Sequence, residues 1–209
     1  MSNFNEISDF VLKGKAKDCA AAVEAALKGG TDPLEVLNKG LVAGMNAVGD
    51  KFKNGEVFVP EVLVSARAMN KGVEILKPAL QKAGVQPVGK AVICTIQGDL
   101  HDIGKNLVKI MVEGKGIEVT DLGADVQVSK IIDAAKSTNA KVVLLSAMLT
   151  TTMPYMKDVV DGLRAAGIKD KVKVMCGGTP ISKAFVEEIG ADGYAVDASS
   201  AADLCRSYY

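Results

Sequence analysis

Lys90-Ala91-Val92-Ile93-Cys94-Thr95-Ile96-Gln97-Gly98-Asp99-Leu100-His101-Asp102-Ile103-Gly104 carries an unbroken apolar run, a polar turn and the opening of a helix. An apolar Val/Ile run without polar alternation reads as a parallel strand covered on both faces. His101 is the only histidine of the chain, and it lies in the turn at the carboxyl end of that strand, where open α/β sheets bind their ligands. Asp99 stands two residues before it. Metal-ligating histidines commonly give their second ring N–H to a carboxylate, which fixes tautomer and ring orientation. Taken alone, a histidine is more often a surface or cap residue; the strand end and the neighbouring carboxylate favour a ligand.

The same grammar continues to the carboxyl end. Strands are expected at Lys90–Ile96, Ile117–Asp121, Val142–Ser146, Val172–Cys176 and Gly193–Val196, with helices from Ile103, Ser129, about Met153 and Ser182, and a terminal helix. Five such units predict an α/β fold, a flavodoxin-like (Rossmann-like) five-stranded parallel sheet with helices on both faces. Residues 1–84 read differently, as helices only. Ala16 to Leu27 ends at Gly29-Gly30, a C-terminal stop. Asp32-Pro33 caps a helix that carries Leu34, Leu37, Leu41 and Met45 on one face. Gly49 to Gly55 reads as a loop. Pro60 opens a long helix with Val64, Met69, Val73, Leu76 and Leu80 spaced for burial, in which Pro78 is expected to kink or split the helix. The organisation predicted is a small helical bundle over 1–84, a linker at 85–89 and an α/β domain over 90–209.

Composition excludes several classes. The 25 basic and 25 acidic residues cancel, and no basic face or tail is present, so nucleic-acid binding is not expected. The four cysteines form no C-x-x-C pair and read as buried reduced thiols. Neither a secretory leader nor an apolar run approaching 18 residues is found, which predicts a cytoplasmic protein without membrane partners.

If strands one, three and four are neighbours, three turns meet on one edge: Gly98–Gly104, then Ser146-Ala147-Met148-Leu149-Thr150-Thr151-Thr152, then Gly177-Gly178-Thr179-Pro180. The glycine pair reads either as a close approach to the backbone or as an ordinary left-handed turn. The Ser146 hydroxyl reads equally as a turn or cap group. Together, Asp99-x-His101-x-x-Gly104, Ser146-x-Met148 and Gly177-Gly178 resemble the cobalamin-binding signature D-x-H-x-x-G…S-x-L…G-G of methionine-synthase-like modules and of corrinoid methyl-carrier proteins. The resemblance spans the whole chain, because those carriers also place a helical bundle first. Within the bundle, Gly55-Glu56-Val57-Phe58-Val59-Pro60-Glu61 followed by Ala66-x-x-Met69 resembles the segment that caps the corrin ring. Met148 replaces the signature's Leu, a nearly isosteric apolar exchange.

The resemblance implies a corrinoid carrier that binds cobalamin, methylcobalamin in its cycle, with the nucleotide base displaced and His101 as axial cobalt ligand. Asp99 and Ser146 would tune that ligand. Gly98, Asp102, Ile103, Gly104, Met148, Thr150, Gly177, Gly178 and Thr179 would line the cofactor site, with the two last-named glycines and Gly104 forming a slot for the displaced tail. Val57, Phe58, Val59 and Met69 would cap the corrin; Met69 reads equally as bundle core. The implied partners are a substrate-specific methyltransferase, a second methyltransferase serving tetrahydrofolate or a thiol such as coenzyme M, and a reductive activation protein. Such a chain is not catalytic alone. A cobalamin-based sensor or a cobalamin store or chaperone is the alternative. A cobalamin-dependent isomerase would need a substrate barrel, which the helical part cannot form. A phosphoacceptor role on the same fold would need a late-strand lysine, which Val196-Asp197-Ala198 lacks.

Overall fold

The computed structural model describes residues 4–84 and 86–209. They divide into two compact units, one running up to Pro87 and including Gly114–Gly116, the other comprising Val88–Glu113 and Ile117–Tyr209.

The first unit is all helix. It comprises α1 (Phe4–Leu12), α2 (Ala16–Lys28), α3 (Pro33–Glu35), α4 (Ala43–Lys53) and α5 (Val59–Lys82). Asp32 caps α3 by accepting the Leu34 N–H, with Pro33 in the first turn, as its sequence dictates. A π-helical stretch, Val36–Val42, joins α3 to α4. Its wider turn carries the apolar stripe away from the 3.6-residue spacing. Val36, Leu41, Met45 and Val48 are therefore buried while Leu34 is exposed, which corrects the expected face. The helix also runs on through Lys53, so the expected loop from Gly49 shrinks to the residues after it. The same helix packs closely on α1: a Cβ on Gly44 would lie 2.7 Å from the Ser8 carbonyl oxygen. α5 continues through Pro78 without splitting, and Val64 on it is exposed rather than buried.

The second unit holds β1 (Gly89–Thr95), α6 (Ile103–Glu113), β2 (Ile117–Asp121), α7 (Val128–Thr138), β3 (Val142–Ser146), α8 (Pro154–Ala165), β4 (Lys173–Gly177), α9 (Lys183–Glu188), β5 (Gly193–Tyr194) and α10 (Ala198–Ser207). The strands are parallel in the order β2-β1-β3-β4-β5. Alternate strand residues serve opposite layers. Val92, Cys94, Val143, Leu145, Val174 and Cys176 share a core with Ile131, Met156, Val160, Leu163 and Val186 of α7, α8 and α9. Ala91, Ile93, Leu144 and Met175, equally buried, belong to the opposite face. Burial pushes the Cys94 and Cys176 thiols up to about 12, so they are protonated and inert at neutral pH. Thr95, Ser146 and Gly177 pair across β1, β3 and β4, which brings the three turns to one edge.

Candidate functional site

The site is built around a carboxylate with no exposure. Asp99 is 0 % exposed, yet every acceptor position on it is taken. Oδ1 accepts the His101 backbone N–H at 3.0 Å and lies 2.7 Å from His101 Nδ1. Oδ2 accepts the Met148 N–H at 2.6 Å, the Leu149 N–H at 3.2 Å and the Thr152 hydroxyl at 3.2 Å. Burial alone would raise this carboxyl's pKa. The hydrogen bonds from Met148, His101 and Leu149 together outweigh burial and hold it well below the usual carboxylate range.

An ionised Asp99 only accepts, so Nδ1 of His101 carries a proton, and in the neutral ring Nε2 is the nitrogen with the lone pair. Nε2 has no hydrogen-bond partner among the described residues, and the side chain is 53 % exposed. The turn behind it is fixed: the buried Thr95 hydroxyl donates to the His101 carbonyl at 2.9 Å. Asp102 accepts the Asn106 backbone N–H at 2.8 Å through its carbonyl and the Asn106 side-chain amide at 3.0 Å through Oδ2, starting α6 directly after the ligand turn. The arrangement presents one oriented imidazole nitrogen, Nε2, to whatever lies over this edge.

The surroundings of that nitrogen are apolar and open. Leu100, Ile103, Met148 and Leu149 are 76 %, 78 %, 50 % and 39 % exposed, an unusual concentration of bare apolar side chains around one polar group. A Cβ built on Gly104 or on Gly177 would meet nothing within 4 Å. An imidazole donor, an apolar surround and glycine openings fit a flat, largely apolar macrocycle with a metal at its centre.

Other expected residues distribute unevenly. Gly98, Thr150, Gly178 and Thr179 are exposed at the same edge. Ser146 does not bond Asp99: it ends β3 half-buried, and the following turn delivers Met148, Leu149 and Thr152 to the carboxylate instead. Gly178 differs from its two companions. Its φ is +125° and a Cβ would lie 1.8 Å from the Ala147 carbonyl oxygen, so glycine is required there by the fold itself. Of the two readings of the glycine pair, Gly178 is thus a close approach, and the group approached is the chain's own backbone. In the helical unit Phe58 is exposed and Met69 is buried, while Val57 and Val59 are half-buried.

Sequence reading missed Thr95, Asp125, Leu149 and Thr152. Thr152 was within reach, as one of three consecutive threonines, because its hydroxyl also lies within hydrogen-bond distance of the Leu149 carbonyl three residues back, at 2.9 Å, sharing its one proton between the two acceptors, a local pattern of turn residues. Asp125, whose Oδ1 accepts the Gly98 N–H at 2.7 Å, had no such signal.

Comparison with known proteins agrees with this geometry. A family described as "B12 binding domain" matches residues 89–203, and a second with the same description matches residues 4–77. The chain belongs to the B12-binding corrinoid proteins. Its cofactor is accordingly a corrinoid. Among relatives of this family, dimethylamine corrinoid protein 1 of Methanosarcina acetivorans is 44 % identical over 94 % of the chain and 92 % of its own length. The crystal structure of a novel cobalamin-binding protein from Desulfitobacterium hafniense is similar over 100 % of both chains, with a TM-score of 0.83 and 30 % identity. The methanol:cobalamin methyltransferase complex MtaBC from Methanosarcina barkeri contains a chain similar over 98 % of this one and 78 % of its own, with a TM-score of 0.88 and 31 % identity. No helix among the described residues is long and apolar enough to cross a membrane.

Proposed function

We propose that this corrinoid protein carries a methyl group between two separate methyltransferases, with His101 as the axial ligand of a corrinoid whose nucleotide base is displaced. The observation that carries the reading is the Nδ1–Asp99 pair, which leaves Nε2 of His101 as a bare, oriented donor on an apolar edge. When bound, the corrinoid supplies a metal centre able to accept and give up a methyl group. The chain's own residues do the rest. Asp99 holds the Nδ1 proton and strengthens Nε2 as a donor. Leu100, Ile103, Met148 and Leu149 exclude water, and Gly104 and Gly177 leave room for the displaced tail. In this reading the domain that begins with β1 holds the corrinoid and residues 1–84 act as its cap; the linker expected at 85–89 is shortened at its end, because Gly89 already pairs with Ile117 in the sheet. Exposed Phe58, flanked in sequence by Val57 and Val59, would be the shielding group, with Met69 part of the bundle core.

Dimethylamine in the relative's name favours a methylamine-class donor, delivered by a substrate-specific methyltransferase. The acceptor enzyme would pass the group to tetrahydrofolate or to a thiol such as coenzyme M, and a reductive activation protein would restore the working state after oxidation. The protein loaded with a methylated corrinoid should keep its methyl group until an acceptor methyltransferase is added. Multiple-turnover transfer from a methyl donor to an acceptor by the purified chain alone would refute the carrier role.

A further inference from the structure

The carboxylate of Asp99 must satisfy donors from two segments at once, His101 on one oxygen and residues 148–152 on the other. A small rotation of its backbone would trade one set for the other, so the backbone has to be fixed independently. The loop after β2 does this. It is stitched to the end of β1 by the Thr95 N–H on the Gly123 carbonyl at 2.9 Å and by the Val126 N–H on the Thr95 carbonyl at 3.2 Å. Asp125 then brackets Asp99: its N–H donates to the Asp99 carbonyl at 3.0 Å and its Oδ1 accepts the N–H of Gly98 at 2.7 Å. To reach both, Asp125 adopts φ +53°, a left-handed conformation that Asp and Asn tolerate better than most residues. The loop is anchored from its other side as well. Asp121 accepts the Gly123 N–H at 2.9 Å and binds Lys105 Nζ through both oxygens at 2.8 Å. Lys105 is 2 % exposed and lies four residues beyond His101.

We infer that Asp125 is a positioning residue for the axial ligand: by clamping the backbone on both sides of Asp99 it aims the carboxylate, and through it the His101 ring. The inference rests on the reading of His101 as that ligand. Three variants of the full chain separate the clamp from backbone strain. Asp125→Asn keeps an acceptor oxygen and the left-handed tolerance, Asp125→Gly keeps only the conformation, and Asp125→Ala keeps neither.

In the apo protein His101 is the only histidine, so its Nδ1–H gives a single assignable proton–nitrogen NMR signal. That signal should be downfield and protected in wild type and Asp125→Asn, and lost or exchange-broadened in Asp125→Gly and Asp125→Ala. After loading with cob(II)alamin, the ratio of histidine-ligated to unligated cofactor, read by electron paramagnetic resonance, should fall about tenfold in the Gly and Ala variants, as for loss of one hydrogen bond to a charged acceptor. It should stay at the wild-type value in Asp125→Asn. Wild-type signals in both Asp125→Gly and Asp125→Ala would overturn the inference. So would loss in Asp125→Ala alone, which would assign the effect to backbone strain. Should Asp125→Ala not fold, the Asn and Gly pair decides. If wild type itself showed no histidine ligation, the functional reading would fail, while the apo NMR comparison would still decide the clamp.

Discussion

Replacing Asp99 by Asn removes one acceptor oxygen from a group that uses both. In the native site Oδ1 serves the His101 N–H and Nδ1, and Oδ2 serves Met148, Leu149 and Thr152. An amide can point its oxygen at only one set. Met148 and Leu149 present backbone N–H groups that cannot reverse, so the lower-cost rotamer turns the amide nitrogen toward His101. The His101 backbone N–H then loses a charged acceptor, worth about 1.5–3 kcal/mol, and the two bonds to Met148 and Leu149 weaken as their acceptor becomes neutral. The total is about 3 kcal/mol, equivalent to a drop of about 10 °C in the melting temperature of a chain this size. The ring also responds: facing an amide donor, Nδ1 must accept, which moves the proton to Nε2 and removes the lone pair meant for the metal. Apo melting followed by circular dichroism and nitrogen coupling in the cob(II)alamin form measure the two consequences separately. An Asp99→Asn protein that melts within a degree of wild type, or that keeps full histidine ligation at neutral pH, would refute this reasoning.

The same carboxylate should govern acid stability. Its pKa is depressed on folding, so its contribution is present above the ordinary carboxylate range and is lost as pH falls toward the folded value. Denaturant titrations of the apo protein at pH 7 and pH 3 should therefore show a larger loss for wild type than for Asp99→Asn; equal losses would count against it. The two adjacent glycines should behave oppositely. Gly178→Ala must move the Ala147 carbonyl and adopt a positive φ, so it should destabilise the apo protein by about 3 kcal/mol or more. Gly177→Val should leave apo melting nearly unchanged yet weaken cobalamin binding in equilibrium titrations. The reverse pattern would mean that the opening beside Gly177 is not part of the cofactor site.

The centre of the sheet was legible because its strands are buried on both faces: Val142–Ser146 reads as an apolar run closed by one serine. Ile117–Asp121, at the sheet edge, alternates apolar and polar residues instead and is largely half-buried; the bounds of both strands were found. The Asp99–His101 pair was legible because its two members are two residues apart on one turn. Thr152 and Asp125 reach the same turn from 53 and 27 residues away, and only the strand order brings them there; periodicity carries no such information. The helix through residues 33–53 misled for another reason. A stripe counted at 3.6 residues per turn cannot anticipate a π-helical stretch, and it placed Leu34 inward where the wider turn leaves it exposed. Gly178 shows a third case: sequence marks a glycine, but only the nearby Ala147 carbonyl tells whether a ligand or the fold requires it.

The central claim is that Nε2 of His101 binds the metal of the corrinoid. Because the chain has one histidine, ¹⁵N-labelling of histidine alone labels that nitrogen, and electron paramagnetic resonance of the cob(II)alamin-loaded protein reads it directly. The account predicts superhyperfine splitting that changes from the ¹⁴N to the ¹⁵N pattern on labelling and disappears in His101→Ala. Splitting that ignores the label and follows the benzimidazole nitrogen of the cofactor would contradict it.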